Sequence, residues 1–184
     1  MRIRSGDVSQ PAEQQLLRDY FAFRSAAFPQ AGGYTVSLPD PSQFDGVHGV
    51  FLVVDDDAGV PVGCGGIRML APDPARDAGA VRAEVKHVWL DPSTRGRGWA
   101  AQLLDALEQS ARRLGATELV LDTHHTLEAA ARLYARTGFV PTEAYNDNPN
   151  ATRWYRKPLD APLGPPLDPP PADRHPEAPG RLEG

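Results

Sequence analysis

The amino-acid sequence predicts a mixed α/β domain, and three observations carry that prediction. Apolar runs of strand length recur along the chain, two of them joined by a tight turn as a hairpin. Amphipathic stretches with helical spacing are interleaved among them at irregular intervals. One helical stretch alone bridges the strands at 82–90 and 118–123, so there is one short crossover unit rather than a long alternating βα series.

Pro11 to Phe28 has a helical stripe of Leu16, Leu17, Tyr20, Phe21 and Phe23, with proline placed where a first turn tolerates it. Residues 29–46 are rich in turn formers, among them Gly32-Gly33 and Pro39-Asp40-Pro41. Strands at 49–54 and 61–70 flank the turn Asp57-Ala58-Gly59. Pro72 to Ala80 reads as a loop, and "RAEVKHVWL" as a third strand. Gly98 to Leu114 is an amphipathic helix closed by Gly115, a natural glycine stop. "ELVLDT" is a strand and "LEAAARLYART" a helix ending at Gly138, and "GFVPTEAY" and "TRWYRKPL" close the domain as strands. The order is α, β, β, β, α, β, α, β, β.

A chain of 184 residues is long enough for one domain with a real core. The folded unit is expected at residues 1–160. Residues 161–184 are crowded with proline and nearly free of large apolar side chains, so a disordered tail is expected there. The chain carries a net charge of −5; four acidic and two basic residues lie in the tail, which leaves −3 on the folded part. That balance speaks against a nucleic-acid binder, which would carry a basic face. No run approaches the ~18 apolar residues of a membrane span. The single cysteine, Cys64, and an N-terminus without a signal-like apolar stretch point to the cytoplasm.

The segment "KHVWLDPSTRGRGWAAQLLDALEQ" carries the functional signal. A strand passes through a proline turn into a loop that has Gly96 and Gly98 but also Arg95 and Arg97, and then into a helix. Free N–H groups and the positive dipole end make a helix start attractive to anions, and glycines let an anion approach the backbone. A phosphorylated ligand is therefore expected. A P-loop is excluded because no Gly-Lys-Ser/Thr follows. Gly96, Gly98 and Ala101 fit the letters of a dinucleotide fingerprint, with Asp122 ending the next strand, but five residues separate the preceding strand from Gly96, whereas that fold turns at once.

Arg95, Gly98 and Ala100 after "VWLDP" resemble the acetyl-coenzyme A motif of the GNAT family of N-acetyltransferases. About forty residues later "ARLYARTGF" resembles that family's second signature, and "YNDNPNATRWYRKPL" is similar to the end of one bacterial subgroup. The resemblance covers residues 1–160. It implies the acyl-CoA N-acyltransferase fold, a central, mostly antiparallel sheet flanked by helices. It also implies acetyl-CoA as co-substrate, with no metal. Main-chain groups of Val88, Trp89 and Leu90 would pair with the pantetheine arm. The loop and helix start formed by Arg95, Gly96, Arg97, Gly98, Trp99, Ala100 and Ala101 would wrap the pyrophosphate. Many members have an asparagine seven residues before the helix tyrosine; here that position is Leu127.

Aminolysis of a thioester needs a neutral amine, stabilisation of a developing oxyanion and a proton for the departing thiolate. Glu84, a carboxylate in an otherwise apolar strand, is the candidate base, and Tyr134 the candidate acid. His124, Asn146 and Asn148 are candidates for the acceptor pocket. Cys64 reads as a small strand residue without a basic partner, and His124-His125 as too poorly spaced for a metal. The expected activity is direct acetyl transfer to a primary amine of a small molecule or peptide in a ternary complex. The alternative is a non-catalytic acyl-CoA sensor on the same fold. No membrane partner is expected, and a homodimer is compatible with the sequence. Metabolite, amino acid, drug and protein N-terminus all stay open as acceptors.

Overall fold

A computed structural model describes residues 1–28, 33–74, 77 and 79–159. Chain order is β1 (Arg2–Gly6), α1 (Pro11–Ala26), β2 (Gly49–Asp55), β3 (Pro61–Met69), β4 (Arg82–Leu90), α2 (Trp99–Arg113), β5 (Glu118–Thr123), α3 (Glu128–Arg136), β6 (Val140–Thr142) and β7 (Arg153–Pro158). Single 3-10 turns at Pro41–Phe44 and Pro92–Thr94 complete it. The expected tail at 161–184 lies outside the described residues.

The strands form one sheet in the order β1-β2-β3-β4-β5-β7-β6. Every neighbouring pair is antiparallel except β4 with β5. The parallel pair is the one that needs a crossover, and α2 supplies it. Strand β2 shows why both faces are covered: Phe51 and Val53 alternate with Leu52 and Val54, and all four are buried. Phe51, Val53 and Cys64 pack under Leu16, Leu17 and Phe21 of α1. Leu52, Val54 and Ile67 pack with Leu103, Leu104, Leu107 and Ala111 of α2, together with Leu119, Leu121 and Phe139. Each such leucine adds about 1.5–3 kcal/mol by leaving water.

Two elements differ from expectation. Strand β1 was not foreseen, because "RIRSG" has no apolar alternation. It is an edge strand, and Arg4 joins it to both Asp55 of β2 and Glu13 of α1, each at 2.9 Å. The expected strand over 138–145 shrinks to three residues; beyond Thr142 the chain leaves the sheet edge and carries Tyr145 and Asn146 to the carboxylates described below.

Candidate functional site

Strand β4 spans nine residues but pairs with β5 only at Arg82, Ala83 and Glu84. Beyond that rung the two strands part, and among the described residues the β4 edge from Val85 to Leu90 has no strand beside it on that side. On the other side the β3–β4 register changes: Cys64 pairs with Trp89 but Gly66 with Lys86, so β4 holds one extra residue. His87 sits in this bulge with φ of +55°, a left-handed conformation that is uncommon for a non-glycine residue. The rings of Tyr20, Phe21 and Phe44 surround His87. Burial lowers its imidazole pKa to about 3, so the ring is neutral. Its Nδ1 is buried without a partner among the described residues.

The strand leads through the 3-10 turn into the glycine loop. Gly98 caps α2 with φ of +74°, and a side chain there would stand in open space. No side chain caps the helix and no acid occupies its first turn. The N–H groups of Gly98, Trp99 and Ala100 donate to no backbone carbonyl among the described residues. Together with the dipole end, they form a ready site for an anion. The Arg97 guanidinium lies over the Trp99 ring at 5.0 Å, adding positive charge at the rim.

A cavity of about 510 Å³ opens where β4 and β5 part. Its walls include Tyr20, Arg24 and Tyr34 as well as Lys86, Asp122 and Tyr134. Two carboxylates organise the polar groups around Lys86. Glu84, fully buried, accepts from Arg68 Nε at 2.6 Å, Lys86 Nζ at 3.2 Å, Tyr145 Oη at 2.9 Å and Asn146 Nδ2 at 3.3 Å. Asp122 accepts from Asn146 Nδ2 at 2.7 Å and Asn148 Nδ2 at 3.0 Å, and lies 3.5 Å from Lys86 Nζ. The Trp154 indole fixes Asn146 by donating to its Oδ1 at 2.9 Å. Asp122 lines the 510 Å³ cavity; Glu84 lines a smaller one of about 210 Å³ behind it. Tyr134 lines the larger cavity, and burial pushes its phenol pKa up to about 12. It therefore stays protonated at neutral pH and has a proton to give.

Residues 14–139 match the model of the acetyltransferase (GNAT) family. The chain belongs to that family. A Schizosaccharomyces pombe protein named as an uncharacterized N-acetyltransferase is 36% identical over 102 residues, which are 55% of this chain and 58% of that protein. The chain thus spans less than two thirds of that relative's length. A GNAT-family acetyltransferase of Staphylococcus aureus superposes with a TM-score of 0.68 at 15% identity, covering 86% of this chain and 99% of that one. A GNAT phosphinothricin acetyltransferase of Sinorhizobium meliloti, solved in complex with acetyl-CoA, gives 0.59 at 17% identity, covering 91% and 93%. At such identities the two structures show a shared fold.

Within this GNAT fold the residues singled out from sequence fall into separate groups. Val88, Tyr134, Asn146 and Asn148 line the large cavity, as does Leu127. Trp89, Leu90 and the run from Arg95 to Ala101 lie outside its walls, on the strand end and helix start beside it. His124 is 2% exposed and does not line the cavity; its Nδ1 meets Thr126 at 2.8 Å and its ring packs on Phe28. Cys64 is buried, with its thiol pKa raised by burial and its Sγ 3.4 Å from the His87 carbonyl. Among the described residues no cluster of three or more His, Cys, Asp or Glu could hold a metal ion. No helix there is long and apolar enough to cross a membrane.

Sequence reading missed Arg24, Arg68, Lys86 and Tyr145, and met Asp122 only as a rejected ribose acceptor. One signal was available. Glu84 and Lys86 are two apart on a strand, so they share a face, and opposite charges on one buried face imply a pair.

Proposed function

We propose that this chain transfers an acetyl group from acetyl-CoA to a primary amine, with both substrates bound at once. The observation that carries the reading is the parting of β4 from β5. It exposes a strand edge that runs into the uncapped start of α2 and opens sideways into a cavity with acidic and phenolic groups.

Acetyl-CoA, when bound, supplies an activated thioester. Main-chain groups of Val88, Trp89 and Leu90 would hold the pantetheine arm, and the amides of Gly98 to Ala100 with Arg95 and Arg97 the pyrophosphate. Tyr134 is the acid that gives its proton to the departing thiolate. Asp122 receives the amine of the acceptor at the cavity wall and takes its proton. Glu84 stands behind as the second carboxylate of the base pair, linked through Lys86 and Asn146. A wet surface site could not do this as well, since charges act more strongly where water is displaced.

The test is thermal stabilisation by acetyl-CoA followed by thiol release with a panel of amines. Ligand at ~100 times its dissociation constant adds about 2.7 kcal/mol. Gly98→Glu should remove that stabilisation, whereas Gly98→Ala, equally strained at positive φ, should keep most of it. Equal stabilisation of the parent and Gly98→Glu would place the coenzyme elsewhere. Stabilisation without thiol release for any amine would favour the sensor.

A further inference from the structure

The large cavity has a charge that the acetyl-transfer reading does not use. Arg24 sits in the last turn of α1 and lines the cavity, with its guanidinium 5.2 Å over the Tyr34 ring. The other two cations in the wall are engaged: Arg68 is bound to Glu84, and Lys86 to Glu84 and Asp122. Among the described residues Arg24 has no carboxylate within ion-pair distance and no side-chain hydrogen bond. Its charge is felt inside the cavity, because it lowers the pKa values of Tyr20 and Tyr134 against the upward push of burial.

A cation in a helix's last turn is favoured by the dipole, and on an exposed face that would be its whole role. Arg24 instead is half-buried against an aromatic wall of Tyr20, Phe21 and Tyr34. An arginine in such a setting forms its strongest pair with a planar two-oxygen anion, bound through two parallel N–H donors. Asp122, which lines the same cavity, suits a cationic ammonium. Tyr134, the proposed acid, lines the same cavity as both charges.

We propose that the acceptor is a small amino acid with a free carboxylate, its carboxylate held by Arg24, its amine by Asp122 and its apolar side chain by the aromatic wall. This rests on the proposed acetyl transfer and narrows its acceptor. A plain amine, a polycationic drug and the N-terminus of a long peptide lack that carboxylate next to the amine. Free acid and amide forms of one amino acid therefore differ where it matters. The amide has the less basic amine, so more of it is neutral and intrinsically reactive. A preference for the acid must then come from the site.

The experiment compares thiol release with phenylalanine, leucine and methionine against their carboxamides, in the parent, Arg24→Gln and Arg24→Lys. At least one acid should exceed its amide by ~10-fold or more in kcat/KM in the parent. Arg24→Gln should lower that acid ~10–100-fold, mainly through KM, and leave the amide unchanged. Arg24→Lys should recover part of the loss, since it keeps the charge without the planar fork. Amides turned over as well as acids, or an equal loss for both in Arg24→Gln, overturns the proposal while acetyl transfer stands. Silence on all six compounds also overturns it. Acetyl transfer falls separately if no amine of the wider panel releases thiol.

Discussion

Replacing Glu84 by glutamine removes one charge while keeping the side chain's size, and the structure says what should follow. The carboxylate is fully buried and bound by Arg68 at 2.6 Å and Lys86 at 3.2 Å. Breaking a buried pair from one side typically costs about 3–5 kcal/mol, because the partner is left without compensation. Two features reduce that figure here. The Arg68 side chain is 32% exposed and can rehydrate, and Lys86, 21% exposed, keeps Asp122. Against this, the new amide puts a donor where Arg68 or Lys86 already donates. A loss of about 2–3 kcal/mol is expected. For a domain of this size each kcal/mol moves Tm by roughly 2–4 °C, so Tm should fall by about 4–12 °C. Calorimetry at neutral pH in low and high salt is the assay. A surface pair would be screened, whereas the loss here should persist at high salt. A Tm within a degree of the parent would refute the view that this carboxylate fastens β3 to β4.

Tyr134→Phe should lower turnover by ~10²–10⁴ while acetyl-CoA stabilisation stays at the parent level, because only a proton donor is lost; parent-like turnover removes the acid from Tyr134. The same phenol sets an alkaline limit. Burial raises the pKa of Tyr134 to about 12, and also raises those of Tyr20 and Tyr145, well above the value near 10 that the unfolded chain restores. Above pH ~10 the unfolded state sheds protons that the native state keeps, so stability that is complete below pH ~10 is lost as pH climbs toward 12. Tyrosinate absorbance should rise together with unfolding, and a smooth titration of all tyrosines in a folded protein would contradict the burial.

Most of the sheet and the glycine loop were legible in the sequence because their signals are local. A continuous apolar run marked β2, the strand–Pro–Gly–helix succession marked the entry to α2, and Gly115 marked its end. Strand β1 was hidden because "RIRSG" has no apolar alternation and its ties are not local: it pairs with β2 about fifty residues on, and Arg4 reaches Asp55 and Glu13, 51 and 9 residues away. The cavity wall was hidden for the same reason. Asp122 and Asn146 are ordinary strand and turn residues until the fold brings them within 2.7 Å. The bulge at His87 left no trace in composition, since its conformation follows from register and from three rings packed on it rather than from a glycine.

The parting of β4 and β5 also explains why so many charges gather in one place. The last backbone rung is Glu84 with Val120. One step further on the same face, Lys86 of β4 and Asp122 of β5 stand 3.5 Å apart. A side-chain ion pair thus takes over where main-chain pairing stops. Unpaired strand edges inside a protein cost free energy unless something satisfies them. The bulge at His87 comes immediately after Lys86, so β4 turns away as soon as the ion pair has been made. Glu84, Lys86 and Asp122 therefore act as the stop of a zipper: they let the strands separate at a fixed point while keeping the lower sheet closed. The same three residues place a carboxylate at the head of the cavity. In this arrangement the carboxylate that would take the acceptor's proton is held by the very contacts that hold the slot open, so charge, fold and chemistry at this site should respond together to a change in any of the three.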